Sequence, residues 1–198
     1  MIISLLDGFK FQTPVFLNLQ GAAALMFYFT LYSFFGWLLE NGYNFFTRGE
    51  WTKPNFLYGP FKPMYGFAPL VLVLFITSKT HWAVVLLLCL FIPTIVEYVS
   101  GALLYKLFNR RWWDYTETPL QLHGHICLPF SLCWVALSVI FLKWIHPTVE
   151  SVYELFEPFW TWIWTIIALY FIADLVLTIR RHTLQNAITN EEPTNPIQ

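Results

Sequence analysis

Along this chain polar positions are rare over long stretches, and most of the charge collects in the short connectors between them. A helix crossing a bilayer needs about 20 mostly apolar residues, because in hydrocarbon its backbone groups find partners only within the helix itself. Five stretches meet or approach that requirement: residues 22–46, 65–79, 82–107, 125–145 and 159–179. The second is short and contains Gly66 and Pro69, which predicts a bent or broken helix. Pro93 in the third predicts a kink unless a neighbour supports the freed carbonyl. The expected fold class is all-α, a polytopic membrane helix bundle of about five transmembrane helices.

Composition supports that class. The chain is 57% hydrophobic and 20% aromatic, with 12% charged residues, against roughly 25% charged in a soluble domain. The pattern divides it into an interfacial lead-in at residues 1–21, a transmembrane helix-bundle domain at 22–182 and a disordered cytoplasmic tail at 183–198. In the lead-in, Phe9, Phe11, Val15, Leu17 and Leu19 alternate with other residues, and Pro14 leaves helix and extended chain both open. Asp7 and Lys10 interrupt its apolar run and no positive n-region precedes it, so a signal peptide is not expected. Cys89, Cys127 and Cys133 are an odd set in apolar runs without C-x-x-C spacing, which predicts small buried thiols and no disulfide framework. A net charge of -1 with scattered cations excludes nucleic acid as a partner.

Orientation follows from the lysines and arginines of the connectors. Arg48, Lys53, Lys62, Lys106, Arg110, Arg111, Arg180 and Arg181 fall on one side, and only Lys10, Lys79 and Lys143 on the other. The richer side is expected in the cytoplasm, giving an outside N-terminus, a cytoplasmic C-terminus and a multi-pass protein of the plasma membrane, the bacterial cell membrane in particular. The acidic connector "HPTVESVYELFEP" then lies outside.

Three carboxylates interrupt the apolar stretches, and each costs on the order of 2.5–3.5 kcal/mol near a bilayer centre unless something compensates. Glu97, in "FIPTIVEYVSG", is the deepest, about ten residues and roughly 15 Å from the cytoplasmic end of its helix. Glu40, in "FFGWLLENGYNFF", lies nearer that end. These two are the candidate pathway or binding residues. Asp174, in "FIADLVLTIRR", reads as structural, with Arg181 two turns further along the same face.

Two connectors carry the remaining polar chemistry. "TRGEWTKPNFLYGPFKPMYGF" has too many prolines and glycines for a regular helix, so it makes defined turns, either as a surface loop or as a re-entrant loop lining a cavity; Tyr65 at its end joins the candidate site. "NRRWWDYTETPLQLHGHICLP" adds Trp113, Asp114, His123 and His125. Trp112 and Trp113 also suit an aromatic belt, and Arg110 and Arg111 suit the topology. The H-x-H pair does not fix a ligand set, so no metal and no cofactor is assigned. Each connector follows a span bearing a glutamate and reaches "LYGP" or "LHGH" before the next span, the pattern of a parallel two-span repeat about an axis along the membrane normal.

At these connectors the chain resembles the CmpB-like family, labelled as ABC-transporter permeases. The resemblance rests on "FFGWLLENGY", "FLYGPFKPMYGF", "EYVSGALLYKLFNRRWWDY" and "GHICLPFSLCW", over about residues 24–146. It implies a multi-pass transport protein without naming a substrate. The chain departs from the family pattern inside the motifs. Lys53, Pro54 and Asn55 stand where the family reads Asn-Arg-Gly, Lys62 replaces a cysteine, Gln121 an asparagine and His125 an arginine, so a titratable imidazole takes the place of a fixed guanidinium.

No G-x-x-x-x-G-K-[ST] stretch occurs, so an ATPase would have to be a separate subunit. The favoured function is an integral membrane permease-like protein whose carboxylate-lined site opens toward the cytoplasm and binds or transports a small or amphiphilic substrate. The first alternative is a membrane-embedded enzyme acting on a lipid, which requires Asp114, His123 and His125 to converge, although no recognisable catalytic motif supports it. The second is a non-catalytic membrane partner or sensor. Beside the lipid bilayer, the partners left open are an ATPase subunit, another membrane protein or a second copy of the chain.

Overall fold

The computed structural model describes residues 19–191, and the lead-in expected at 1–21 lies almost wholly outside them. Among the described residues the regular structure is helical apart from one small hairpin. Its helices are α1 (Leu19–Arg48), α2 (Pro63–Phe75), α3 (Trp82–Phe108), α4 (Leu128–Ile140) and α5 (His146–Glu191), with strands β1 (Gln121–Leu122) and β2 (Ile126–Cys127) before α4. By length and composition three helical stretches can cross a membrane: Leu19–Arg48, Trp82–Phe108 and the continuous run Leu128–Ile188; Pro63–Phe75 is a shorter apolar helix.

α1 packs through small residues. A Cβ on Gly36 would land on the Tyr65 side chain, and one on Gly66 would land on Ser33 and Phe29. Glycine at both positions lets the backbones of α1 and α2 approach closely, the usual device where lipid supplies no hydrophobic drive for helix association. Beyond this contact a core of Phe27, Tyr28, Tyr32, Leu72, Ile76, Val85, Cys89 and Leu142 joins α1, α2 and α3 to the end of α4.

The connector after α1 does not stay at the end of that helix. Lys62 donates its backbone N–H to the carbonyl of Ser33, 3.0 Å away, and Ser33 lies halfway along the 30 residues of α1. The chain therefore folds back along α1, and α2 starts from mid-helix depth. Pro63 at its first position lacks an N–H and has a φ suited to a helix start. The second connector folds back less far, and its hairpin (Gln121↔Cys127, Leu122↔Ile126) turns through His123 and Gly124, both at positive φ.

The helical run from Leu128 to Glu191 reverses direction without a break in its assignment. On α4, Trp134 reaches Glu97 of α3 while β2, just before α4, lies against the later part of α3, so the two helices run antiparallel. The first part of α5 continues in the direction of α4, meeting α1 at Tyr32 through His146, at Phe27 and Tyr28 through Tyr153, and at Ala23 through Trp160, which donates to that carbonyl at 2.7 Å; from there the helix returns parallel to α1, with Phe171 packed on Phe29. The reversal falls at Pro158, the proline inside α5 and a recognised cause of helix kinks. Before it, Tyr32 holds the run to α1 through a 2.6 Å hydrogen bond between its hydroxyl and His146 Nδ1.

Several expected boundaries change. The stretch expected as an acidic outer connector is helix from His146 onward, because Pro147 falls in the first turn, where its missing N–H is harmless. α2 ends at Phe75, short of residue 79. α5 continues through Glu191, past the expected start of the tail at 183, and is held there by Asn186 Nδ2 donating to the Phe108 carbonyl at 2.9 Å.

Gly36→Ala and Gly66→Ala are each expected to destabilise the protein by about 1–3 kcal/mol through overpacking. Gly42→Ala, where a new Cβ meets nothing within 4 Å, should be neutral or stabilising. Thermal unfolding in detergent distinguishes the three.

Candidate functional site

The folded-back connector carries non-helical backbone among packed helices, where unpaired N–H and C=O groups are costly. Polar side chains from the helices answer it. Asp174 of α5, 5% exposed, accepts the backbone N–H of Tyr58 and of Gly59, each at 2.9 Å, and the Thr178 hydroxyl at 3.2 Å. Asn41 accepts the Lys53 N–H at 2.9 Å, and Asn44 donates to the Glu50 carbonyl at 2.7 Å. Asn55 donates to the carbonyls of Gly59 and Phe61, at 2.8 and 3.1 Å. Arg181 donates to the Phe56 carbonyl at 3.0 Å. Asp174 is thus structural as expected, but its printed partners are loop amides and Thr178, with Arg181 bracing the same loop separately.

This bracing delivers two ammonium groups to Glu40. Lys53 Nζ and Lys62 Nζ each lie 2.7 Å from Glu40 Oε2, with little of the three side chains exposed. Burial pulls Lys62 below the ordinary lysine value, and Glu40 pulls it back up. Neither lysine was singled out by sequence reading beyond its part in topology. Both stand at departures from the family pattern, and no helical periodicity links positions 53 or 62 to 40.

Glu97, 2% exposed, is held differently. Its Oε1 accepts the Tyr115 hydroxyl at 2.9 Å and its Oε2 the Trp134 indole N–H at 2.7 Å. Tyr65 packs edge-on against Trp134 at 5.5 Å, joining the two halves of the site. Sequence reading did not single out Tyr115 and Trp134, although they end two of the motifs that carry the family resemblance, because aromatic residues are abundant throughout and nothing local pairs either with Glu97.

Two cavities meet this polar cluster. One of about 370 Å³ lies between α1, α2, α3 and α4 and is walled by Gly36, Tyr65, Pro93 and Trp134 among apolar side chains. The other, about 330 Å³, runs from Glu40 and Lys62 past Trp112 and Trp113 to Phe67, Leu104 and Leu175. Met64 lines both.

The remaining candidates sit apart from Glu40. Asp114 pairs with Arg111 at 2.8 Å and accepts the Thr116 N–H at 3.0 Å; that N–H foremost, with Arg111 assisting, holds its carboxyl below the ordinary aspartate value. His123 Nδ1 lies 2.9 Å from the Tyr98 hydroxyl. His125 is buried against Gly101, its imidazole held below the usual value by burial first and by Arg111 second. Trp113 also packs on Gly101 and donates its indole N–H to the His125 carbonyl at 2.9 Å, so it supports this loop. Asp114 and His123 thus have separate partners, which does not give the convergence that the lipid-enzyme reading requires. Among the described residues no three His, Cys, Asp or Glu side chains gather as a metal site.

The family model described as "Putative ABC-transporter type IV" matches residues 27–179, which include both glutamates, both connectors and Asp174. The chain belongs to this family. No curated protein and no solved structure matches it. Membership and the apolar helices together mark it as a membrane protein of transporter type.

Glu40→Gln should destabilise the protein by about 1–3 kcal/mol, because it leaves two part-buried ammonium groups facing each other, a cost that solvent screening keeps below that of a fully buried pair. The double variant Glu40→Gln with Lys62→Met should recover part of that loss, read as coupling in a thermal-unfolding cycle. Asp174→Ala should free the connector at Tyr58 and Gly59 to proteolytic cleavage, since each orphaned amide costs about 1–3 kcal/mol.

Proposed function

We propose that the chain is the membrane-embedded, permease-like unit of a transporter, and that Glu40, Lys53, Lys62, Tyr65 and Glu97 form its substrate site. In this reading α1, α3, α4 and α5 cross the bilayer and α2, preceded by a re-entrant connector, completes five segments. The N-terminus lies outside and the C-terminus in the cytoplasm of a cell whose plasma membrane holds the protein.

The observation that carries the proposal is the part-buried Lys53–Glu40–Lys62 cluster, of which Glu40 and Lys62 line the largely apolar cavity that runs to Phe67, Leu104 and Leu175. Charged groups are retained at such depth mainly where they serve a pathway or bind a ligand. Glu40 lies roughly 12 Å and Glu97 roughly 17 Å from the Arg48 and Phe108 ends of their helices at 1.5 Å per residue, which favours access from the cytoplasmic side. A polar head with apolar walls suits a small or amphiphilic substrate, the head meeting Lys62 and Glu40 and the tail following Phe67, Leu104 and Leu175.

The repeat reading gains support from two features. α2 and α4 each have 13 residues and each begins with proline in its first two positions. Each follows a folded-back connector and a long helix carrying one of the two glutamates. Helices that start from irregular chain inside the membrane, in matching positions of two repeats, characterise the binding sites of transporters. The chain has no phosphate-binding loop for ATP, so ATP-driven transport requires a separate ATPase subunit.

In proteoliposomes, flux of a fluorescent single-chain lysolipid should fall at least tenfold in Glu97→Gln while insertion and thermal stability stay near wild type. Unchanged flux in a stably inserted variant would remove Glu97 from the pathway.

A further inference from the structure

Away from the glutamates, a second set of donors gathers where the end of α3, the second connector and the last turns of α5 meet. The Arg110 guanidinium lies over the Trp112 ring at 5.4 Å, and Trp112 meets His182 edge-on at 5.2 Å. Arg181 lies over the Tyr58 ring at 4.1 Å. Trp112 Nε1 and Arg181 Nε are buried without a hydrogen-bond partner among the described residues. Arg111 is neutralised by Asp114, but among the described residues Arg110, Arg180 and Arg181 have no carboxylate within 4.0 Å.

These cations border two hollows that share Gln185 and Ile188. One, of about 440 Å³, is reached by Arg110 and His182. The other, of about 470 Å³, is reached by Arg180, Arg181 and Tyr58. On the membrane side of the arginines, Leu177, Tyr170 and Ile166 lie along one stripe of α5 and are 54%, 43% and 64% exposed. A soluble anion would account for the arginines alone. An anion that carries an acyl chain accounts for both the unpaired arginines and the exposed apolar stripe.

We propose that this end of the molecule binds the phosphate of an anionic phospholipid through Arg110, Arg180 and Arg181, with an acyl chain running into the bilayer along Leu177, Tyr170 and Ile166. Guanidinium groups suit phosphate because their planar donors pair with two oxygens at once. Basic hollows between helices at the cation-rich face are where anionic headgroups bind. The site is independent of the substrate site proposed above, since neither glutamate lines these hollows.

The test uses the full-length protein in mixed micelles of phosphatidylglycerol or phosphatidylcholine, with retained lipid read by native mass spectrometry. Phosphatidylglycerol should be retained over phosphatidylcholine. The double variant Arg110→Gln with Arg180→Gln should bind it roughly 25-fold more weakly, about fivefold for each arginine. Arg181 is spared in this variant because it also holds the Phe56 carbonyl. Arg48→Gln, which removes an exposed cation elsewhere on the same face, should change nothing. The proposal is overturned if the two lipids are retained equally, if Arg48→Gln weakens binding as much per residue, or if inorganic phosphate alone stabilises the protein as well as phosphatidylglycerol does.

Discussion

The structure depends on one constraint: where the chain leaves regular helix among packed helices, each backbone N–H and C=O it exposes needs a partner. The connector between α1 and α2 folds back to Ser33 and so carries irregular backbone halfway along a 30-residue helix. Asn41, Asn44, Asn55, Asp174 and Arg181 meet that need from α1, from the loop itself and from α5. Polar residues that look anomalous in apolar helices are therefore matched to specific amides and carbonyls. Asp174 is the clearest case, a carboxylate whose two oxygens each hold one loop amide.

Holding the loop also makes the site. Once the connector is fixed along α1, Lys53 and Lys62 share Glu40, and two cations on one part-buried carboxylate leave local positive charge. The partners of Glu97 are instead neutral donors from Tyr115 and Trp134. The two glutamates thus have different ligation. The same loop that is braced by Asp174 carries the cations that face Glu40, so damage to the brace and damage to the site are physically linked.

The reversal within the Leu128–Glu191 run places α5 where it can brace that loop. A straight helix would carry Asp174 far from Tyr58. Pro158 allows the run to turn back, and the Tyr32–His146 and Trp160–Ala23 hydrogen bonds hold it against α1 on the way to that turn.

The apolar stretches determined by themselves that the chain is helical, roughly where its helices lie, and that Glu40, Glu97 and Asp174 need compensation, because hydropathy and the cost of burying charge are local properties. The glycine- and proline-rich connector could be read as irregular for the same reason. Only the tertiary structure decided which partner each carboxylate takes. Lys53 and Lys62 lie 13 and 22 residues from Glu40, and Tyr58 lies 116 residues from Asp174. Such pairings follow from how far a loop folds back and where a helix bends, and neither leaves a period or spacing in the sequence.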